Sequence, residues 1–218
     1  MKNNVNTFVS IDFETLYAQR VTACSVGCVK YIDGKAVDTY YTLIQPPFEC
    51  ESISGPALEY IHGFTCDMFS EEKRFPDILK ELEEFIGDLK LVAHNASVEK
   101  SVFNKCCEYY GLETNIDYNN IIDTLKLSKI IEKKMGLNVS GPGSHRLDTL
   151  CEMYNIKTML HHNALDDSYM CGDLYVELNK YDSMSLSEIK KVNLIVPVPK
   201  PDNVVLPGTI TLDKLLLG

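Results

Sequence analysis

Three observations in the sequence predict an α/β layer fold built on a mixed sheet. The first 44 residues look like three β-strands, with apolar and polar residues alternating over Phe8–Glu14; later segments carry helical apolar stripes, and short apolar strands separate them. The resulting order, β-β-β-α-β-α-β-α-α, places three antiparallel strands first.

In Phe8–Glu14 the alternation puts Val9, Ile11 and Phe13 on one face and Ser10, Asp12 and Glu14 on the other. Strands over 22–31 and 35–44 follow, joined across Asp33-Gly34, a strong two-residue hairpin signal. Phe75-Pro76-Asp77 opens a helix with proline in its first turn; its apolar stripe is Ile78, Leu79, Leu82, Phe85 and Ile86, and Gly87 stops it. Leu91-Val92-Ala93 is a short buried strand. The helix predicted over 97–110 turns Val98, Val102, Phe103 and Cys106 inward and ends at Gly111. Ile121 to Thr124 is a further short strand, leading into a helix that ends near Gly136. Residues 136–144 form a loop that lacks the Lys-Ser/Thr ending of a phosphate-binding P-loop. Helices over 147–154 and 164–181 complete the folded part, residues 1–182. Residues 183–218 change texture: Pro197, Pro199, Pro201 and Pro207 interrupt an extended apolar stretch, which predicts a linker or docking arm.

Composition sets limits. A chain of 218 residues, 45% hydrophobic and 24% charged, suits one large domain with an appendage and excludes disordered, collagen-like and coiled-coil classes. Apolar runs of only a few residues predict no transmembrane helix, and the first residues predict no signal peptide. Twenty-one basic against 31 acidic side chains give a net charge of −10, which argues against a broad basic surface coating nucleic acid. An enzyme gripping one strand end through metal ions stays compatible with that charge. The eight cysteines are scattered without a C-x-x-C pair. Cys24 and Cys28 are expected as buried strand thiols, with no disulfide or metal role, and a reducing cytoplasm is the expected compartment.

Three pieces carry chemistry. Asp12 and Glu14, two apart on a strand, project from one face, where their repulsion calls for a cation. Ala93-His94-Asn95-Ala96 links a strand to a helix whose first turn holds Glu99. There a carboxylate is also favoured by the helix dipole, and Asn95 by N-capping. His94 by itself suits a hydrogen-bonded turn. In His161-His162-Asn163-Ala164-Leu165-Asp166-Asp167, helical spacing puts Asp167 on the inward stripe with Ala164, Cys171, Leu174 and Leu178. Asp166 falls with Asp173 and Glu177 on the solvent side. An inward carboxylate needs a cation or a good donor. Hard oxygen donors plus one imidazole suit Mg²⁺ or Mn²⁺, not structural zinc. Two such ions can activate a water and stabilise the leaving oxygen of a phosphodiester, and His162 is placed to take the proton from that water.

These motifs resemble the DEDDh 3′–5′ exonucleases, the family of the polymerase III proofreading epsilon subunit and ribonuclease T. The resemblance covers residues 7–180. It rests on Asp12-Phe13-Glu14-Thr15, Ile61-His62-Gly63-Phe64-Thr65, Ala93-His94-Asn95-Ala96 with an acid three residues on, Asp123-Thr124-Leu125, and His162-Asn163-Ala164-Leu165-Asp166-Asp167, in that order. The resemblance implies a ribonuclease-H-like three-layer fold with a mixed five-stranded sheet flanked by helices. It implies two divalent ions, Mg²⁺ or Mn²⁺, held by Asp12, Glu14, Glu99 and Asp167, with His162 as general base. Thr15 and Leu16 would lie near the terminal nucleotide, with His94 and Asn95 on the substrate side. Phe64 would stack or wedge, a core role being the alternative. One departure is Glu99, where the family usually carries Asp; the extra methylene bears on the second metal position. The implied activity is stepwise removal of nucleoside monophosphates from DNA 3′ ends, single strands favoured, in proofreading or repair. The alternatives are a 3′–5′ exoribonuclease of the same family and a non-catalytic domain that binds nucleic acid or a polymerase. A polymerase or other protein docking on the tail is an expected partner; a membrane is not.

Overall fold

The computed structural model describes residues 6–16, 19–47, 63–137, 139, 143–158 and 163–185. Five strands form one sheet: β1 (Phe8–Thr15), β2 (Ala23–Ile32), β3 (Lys35–Leu43), β4 (Leu91–Ala93) and β5 (Ile122–Asp123), in the order β3-β2-β1-β4-β5. β1 pairs antiparallel with β2, and β2 with β3, whereas β4 runs parallel to both β1 and β5. The hairpin between β2 and β3 turns at Asp33-Gly34, both at positive φ, as a two-residue turn of that handedness requires.

Helices α1 (Phe75–Ile86), α2 (Ser97–Tyr110), α3 (Thr124–Met135), α4 (Leu147–Met153) and α5 (Ala164–Ser183) cover the sheet. The alternation of β1 assigns the layers. Val9, Ile11 and Phe13 join Phe75, Ile78, Leu82 and Ile86 of α1 and Val102, Phe103 and Cys106 of α2 in one core. On the opposite face Phe8, Val29, Tyr31 and Val92 pack with Ile131 of α3, Leu150 of α4, and Cys171, Leu174 and Leu178 of α5. Asp12 and Glu14 share parity with Phe8, so the period of the strand alone directs them toward α5.

Two glycines set how closely α5 approaches. A Cβ on Gly27 would lie 2.3 Å from the Ala164 carbonyl carbon, and one on Gly172 would lie 2.3 Å from the Tyr31 ring. Ser168 uses the first contact by donating its hydroxyl to the Gly27 carbonyl at 2.8 Å. Tyr31 in turn stacks on Phe8 with centroids 4.7 Å apart and donates to Asp173 at 2.9 Å. Asp173, expected on the solvent side, is exposed but its carboxylate is tied to the sheet through that phenol.

The structure corrects several expectations. β5 spans two residues instead of four, because the Asp123 side chain accepts from the Leu125 N–H and starts α3 at Thr124. On α2 the residue in the interior of the first turn is Glu99, 1% exposed, while Val98 is only half-buried. Asn95 does not cap that helix. It sits in the left-handed region at φ 60°, and its side chain accepts from the Ser97 hydroxyl instead. Cys24 and Cys28 are buried free thiols as expected, but Cys66 is disulfide-bonded, its partner outside the described residues. Scattered spacing gave no sign of that pairing. Residues 186–218, most of the expected arm, lie outside the described residues.

Gly27→Ala tests the close approach of α5. Overpacking typically costs about 1–3 kcal/mol, and here the new methyl meets backbone that has no rotamer to yield. The expected outcome is a loss of that size in denaturant unfolding, together with weaker divalent-cation binding, because Asp167 moves with α5.

Candidate active site

The site lies at the carboxyl ends of the parallel strands, where α/β sheets place ligands. β1 ends at Thr15, β4 runs into His94-Asn95, and β5 ends at Asp123. α5 adds a second layer above the same spot. Asn163 caps α5 by accepting from the N–H groups of Leu165 and Asp166 at 3.1 and 3.3 Å, fixing where its first turn begins. Asp167 then faces the sheet, 6% exposed, while Asp166 is half-buried.

Asp12, Glu14 and Asp167 each offer a carboxylate oxygen within 4.8 Å of the others. Burial pushes the Asp12 carboxyl well above the usual range, and the charges of Glu99, Glu14 and Asp167 push it further. Glu99 stands outside that group of three, although its charge is the largest of those acting on Asp12. Burial pushes Glu99 up to about 8, opposed by a hydrogen bond at its own backbone and by the Arg20 guanidinium, and reinforced by Asp123 and Glu14. Its Oε2 is buried without a hydrogen-bond partner. A buried carboxyl raised at Asp12, another raised at Glu99 with one oxygen unpartnered, and the carboxylates of Glu14 and Asp167 close to Asp12 are what a hard divalent cation would stabilise. The donor set fits one: all oxygen, anionic and convergent. No thiolate or imidazole from the described residues joins the group.

The neighbouring residues divide into scaffold and rim. His94 spends both ring nitrogens inside the protein. Nε2 donates to the His145 carbonyl at 3.0 Å, so Nδ1, 2.9 Å from the Thr124 hydroxyl, accepts. Burial lowers its pKa, in keeping with a neutral ring. The expected place on the substrate side therefore does not extend to its ring nitrogens. Asn95 is exposed beside the cluster. Asp123, expected only as a motif residue, takes the Asn95 N–H at 3.1 Å as well as capping α3. It thereby clamps the turn that precedes Glu99. Thr15 and Leu16 are half-buried at the end of β1. Phe64 is buried edge-on against Phe69, with Cys24 in the same small cluster; in this state it fills space. His161 and His162 lie outside the described residues, as do Ile61 and His62.

One residue near the site, Arg20, and one role, the clamp made by Asp123, carried no usable signal in the sequence. Arg20 follows the first motif in a stretch with no periodicity. The clamp of Asp123 depends on a positive-φ turn 28 residues earlier in the chain.

Sheet order and acidic cluster together define a class, the nucleases built on a ribonuclease-H-like sheet. The family model described as exonuclease matches residues 9–175, and the chain belongs to the DEDDh 3′–5′ exonuclease family. It is similar to the DNA polymerase III PolC-type of Bacillus cereus, 33% identical over 177 residues that make up 80% of this chain and 11% of that protein. The PolC-type protein of Thermotoga maritima is 32% identical over 193 residues, 85% of this chain and 13% of the relative. The chain thus spans only about a tenth of the length of these relatives. Among solved structures, exonuclease X in complex with 5′ overhanging duplex DNA matches at TM-score 0.62 and 23% identity, over 84% of this chain and 96% of that one. Exonuclease I matches at TM-score 0.66 and 13% identity, over 81% and 42%. These likenesses establish the fold. Among the described residues, no helix is long and apolar enough to cross a membrane.

The buried acids make cation-free stability depend on pH. A folded-state pKa of about 8 for Glu99, against an ordinary 4.5, means the folded state holds the extra proton between those values. Its contribution is full below pH 4.5 and is lost as pH rises toward 8; Asp12 shifts in the same direction. Thermal unfolding in EDTA should therefore show stability declining across that window. Glu99→Gln should flatten the decline, and Mn²⁺ should reverse it.

Proposed function

We propose that the chain removes nucleoside monophosphates from DNA 3′ ends by hydrolysing the terminal phosphodiester, in proofreading or repair. The observation that carries this is the trio Asp12, Glu14 and Asp167, three oxygens within 4.8 Å of one another, in a member of an exonuclease family. Similarity to DNA polymerase III PolC-type proteins supports DNA as the substrate.

Asp12, Glu14, Glu99 and Asp167 would hold two divalent ions, Mg²⁺ or Mn²⁺. When bound, such ions supply Lewis-acid charge to the phosphoryl group and lower the pKa of a water. The chain's residues do the rest. The carboxylates aim that charge at one point on the strand, which suits an acidic protein that cannot hold DNA over a wide surface. His162, next to the Asn163 cap, would take the proton from the attacking water. Thr15, Leu16 and the exposed Asn95 would contact the terminal nucleotide. The arm beyond residue 185 would dock a polymerase or another protein.

The test is a time course on 5′-labelled single-stranded DNA, duplex DNA and RNA with Mg²⁺ or Mn²⁺, product lengths resolved on a gel. One-nucleotide shortening from the 3′ end of DNA is expected. Faster shortening of RNA would make the chain an exoribonuclease, and internal cuts or no product would overturn the reading.

Three variants refine it. Asp12→Ala or Asp167→Ala should abolish cleavage while leaving metal-free thermal stability unchanged or higher, since removing one acid relieves repulsion. His162→Ala should lower single-turnover rate by about 10²–10⁴-fold, the usual loss of a general base, whereas His161→Ala changes it little. Glu99→Asp should lower Mg²⁺ activity, with Mn²⁺ restoring part, because the buried start of α2 is built around the longer side chain. A rise in Mg²⁺ activity would instead mark a degraded Asp site.

A further inference from the structure

Arg20 is a cation placed at the mouth of an anionic site. It lies in a 3-10 turn, Arg20–Thr22, that follows β1. The backbone of that turn is fixed at several points. The Leu16 N–H donates to the Thr22 carbonyl at 3.0 Å and the Thr22 N–H to the Gln19 carbonyl at 2.9 Å. The Cys106 thiol on α2 lies 3.8 and 3.9 Å from the carbonyls of Arg20 and Val21. From this anchor the side chain turns back to the end of β1, where Nη1 donates to the Thr15 hydroxyl at 3.3 Å. Thr15 ends the strand that carries Asp12 and Glu14, and the guanidinium is near enough to Glu99 to oppose the rise of its pKa.

The rest of the guanidinium is uncommitted. Among the described residues Arg20 makes this single hydrogen bond and no ion pair. Other cations near the motifs are occupied: Lys126 is 3.6 Å from Asp123, Arg146 is 3.5 Å from Asp148, and Lys100 donates to the Asn119 carbonyl. Nor is Arg20 needed for packing, since it is half-exposed. A half-exposed guanidinium held by its backbone, with donors to spare, suits a planar oxyanion. In a chain of net charge −10 whose site gathers four acids, a polyanionic strand meets repulsion wherever its phosphates are not matched by a cation.

We propose that Arg20 binds a backbone phosphate of the strand whose 3′ end lies at the Asp12–Glu14–Asp167 cluster, and so sets the register of that end. The proposal rests on the reading of the site as a 3′ exonuclease site. Thr15 orients the guanidinium, and one non-bridging pair of phosphate oxygens takes the remaining donors. Because it is held on the same 3-10 turn that leans on α2, the contact is rigidly spaced from Glu99. It supplies strand affinity that the overall charge of the protein withholds.

The competing role is internal: Arg20 offsets the Glu99 charge and never touches substrate. A binding cycle separates the two. The full chain and its Arg20→Gln variant are titrated with fluorescent single-stranded DNA in Ca²⁺, read by anisotropy. The strands carry one neutral methylphosphonate at each of the first four linkages in turn. Arg20→Gln should weaken binding of the unmodified strand about tenfold, the loss expected of a charge-assisted hydrogen bond. At one linkage the methylphosphonate should cost the wild type a similar factor and the variant nothing more. Arg20→Lys should recover only part of the affinity, because an ammonium cannot present the planar fork. Penalties that multiply independently at every linkage, or unchanged affinity in Arg20→Gln with altered kcat alone, would overturn the proposal and leave Arg20 as a partner of Glu99. Unchanged melting temperatures check that the variants fold. A wild type that binds strands yet releases no nucleotide would remove the exonuclease reading, while the cycle would still decide whether Arg20 meets a phosphate.

Discussion

Four carboxylates are forced together where the sheet meets α5 and α2, and the repulsion among them is the constraint around which the fold is arranged. Two unit charges at the 4.8 Å limit of the trio repel by roughly 3 kcal/mol at an effective dielectric of about 20. Burial is the larger reason that the Asp12 and Glu99 carboxyls rise, and neighbouring charges add to it; Glu99 also keeps an oxygen with no partner. An arrangement this unfavourable persists only where the surrounding backbone leaves no alternative. The backbone here leaves none. β1 is the central strand, and its register with β2 runs through Asp12 and Glu14, opposite Gly27 and Ser25, which holds both acids on the α5 face. Gly27 and Gly172 let α5 settle on the sheet at a distance no Cβ would permit, and the Asn163 cap fixes the turn that carries Asp167.

The scaffold around the cluster is a chain of hydrogen-bonded polar groups. His94 joins β4 to the Thr124 start of α3 and to the carbonyl of His145. His145 continues the chain through a 2.8 Å contact with Glu132 and a 3.0 Å contact with Ser144. These groups hold the loop before α4 against the carboxyl ends of the strands. Asp123 serves the same end from below. By taking both the Asn95 and Leu125 N–H groups, it fixes two helix starts at once, one of which carries Glu99.

The distribution of charge explains how an acidic chain can belong to a nuclease family. On the proposed reading its acids would act at one point, where a bound cation would reverse their sign toward the substrate, instead of over a surface. Among the described residues, Lys126, Arg146 and Lys100 near the motifs are turned toward carboxylates or carbonyls of the protein itself, whereas Arg20 donates to the Thr15 hydroxyl at the end of β1. On the same proposed reading, such a site would recognise an end and leave the length of the strand largely unheld.

Much of this was legible in the residues. Alternation in β1 set Asp12 and Glu14 on one face, because a strand has a fixed period whatever packs against it. Gly87, Gly111 and Gly136 marked three helix ends, since each takes the positive φ that other residues resist. Helical spacing picked out Asp167 over Asp166 for the same reason: the inward stripe follows from geometry alone. Tertiary structure decided what depends on two segments meeting. The depth of Glu99 follows from the turn that Asp123 clamps, the engagement of both His94 nitrogens from Thr124 and the loop at His145, and the packing of Phe64 from Phe69. The bond from Arg20 back to Thr15 depends on a 3-10 turn anchored against Cys106. None of these leaves a period or a spacing in the chain. Local periodicity records which way a side chain points, whereas the partner it finds there is settled only when distant backbone arrives.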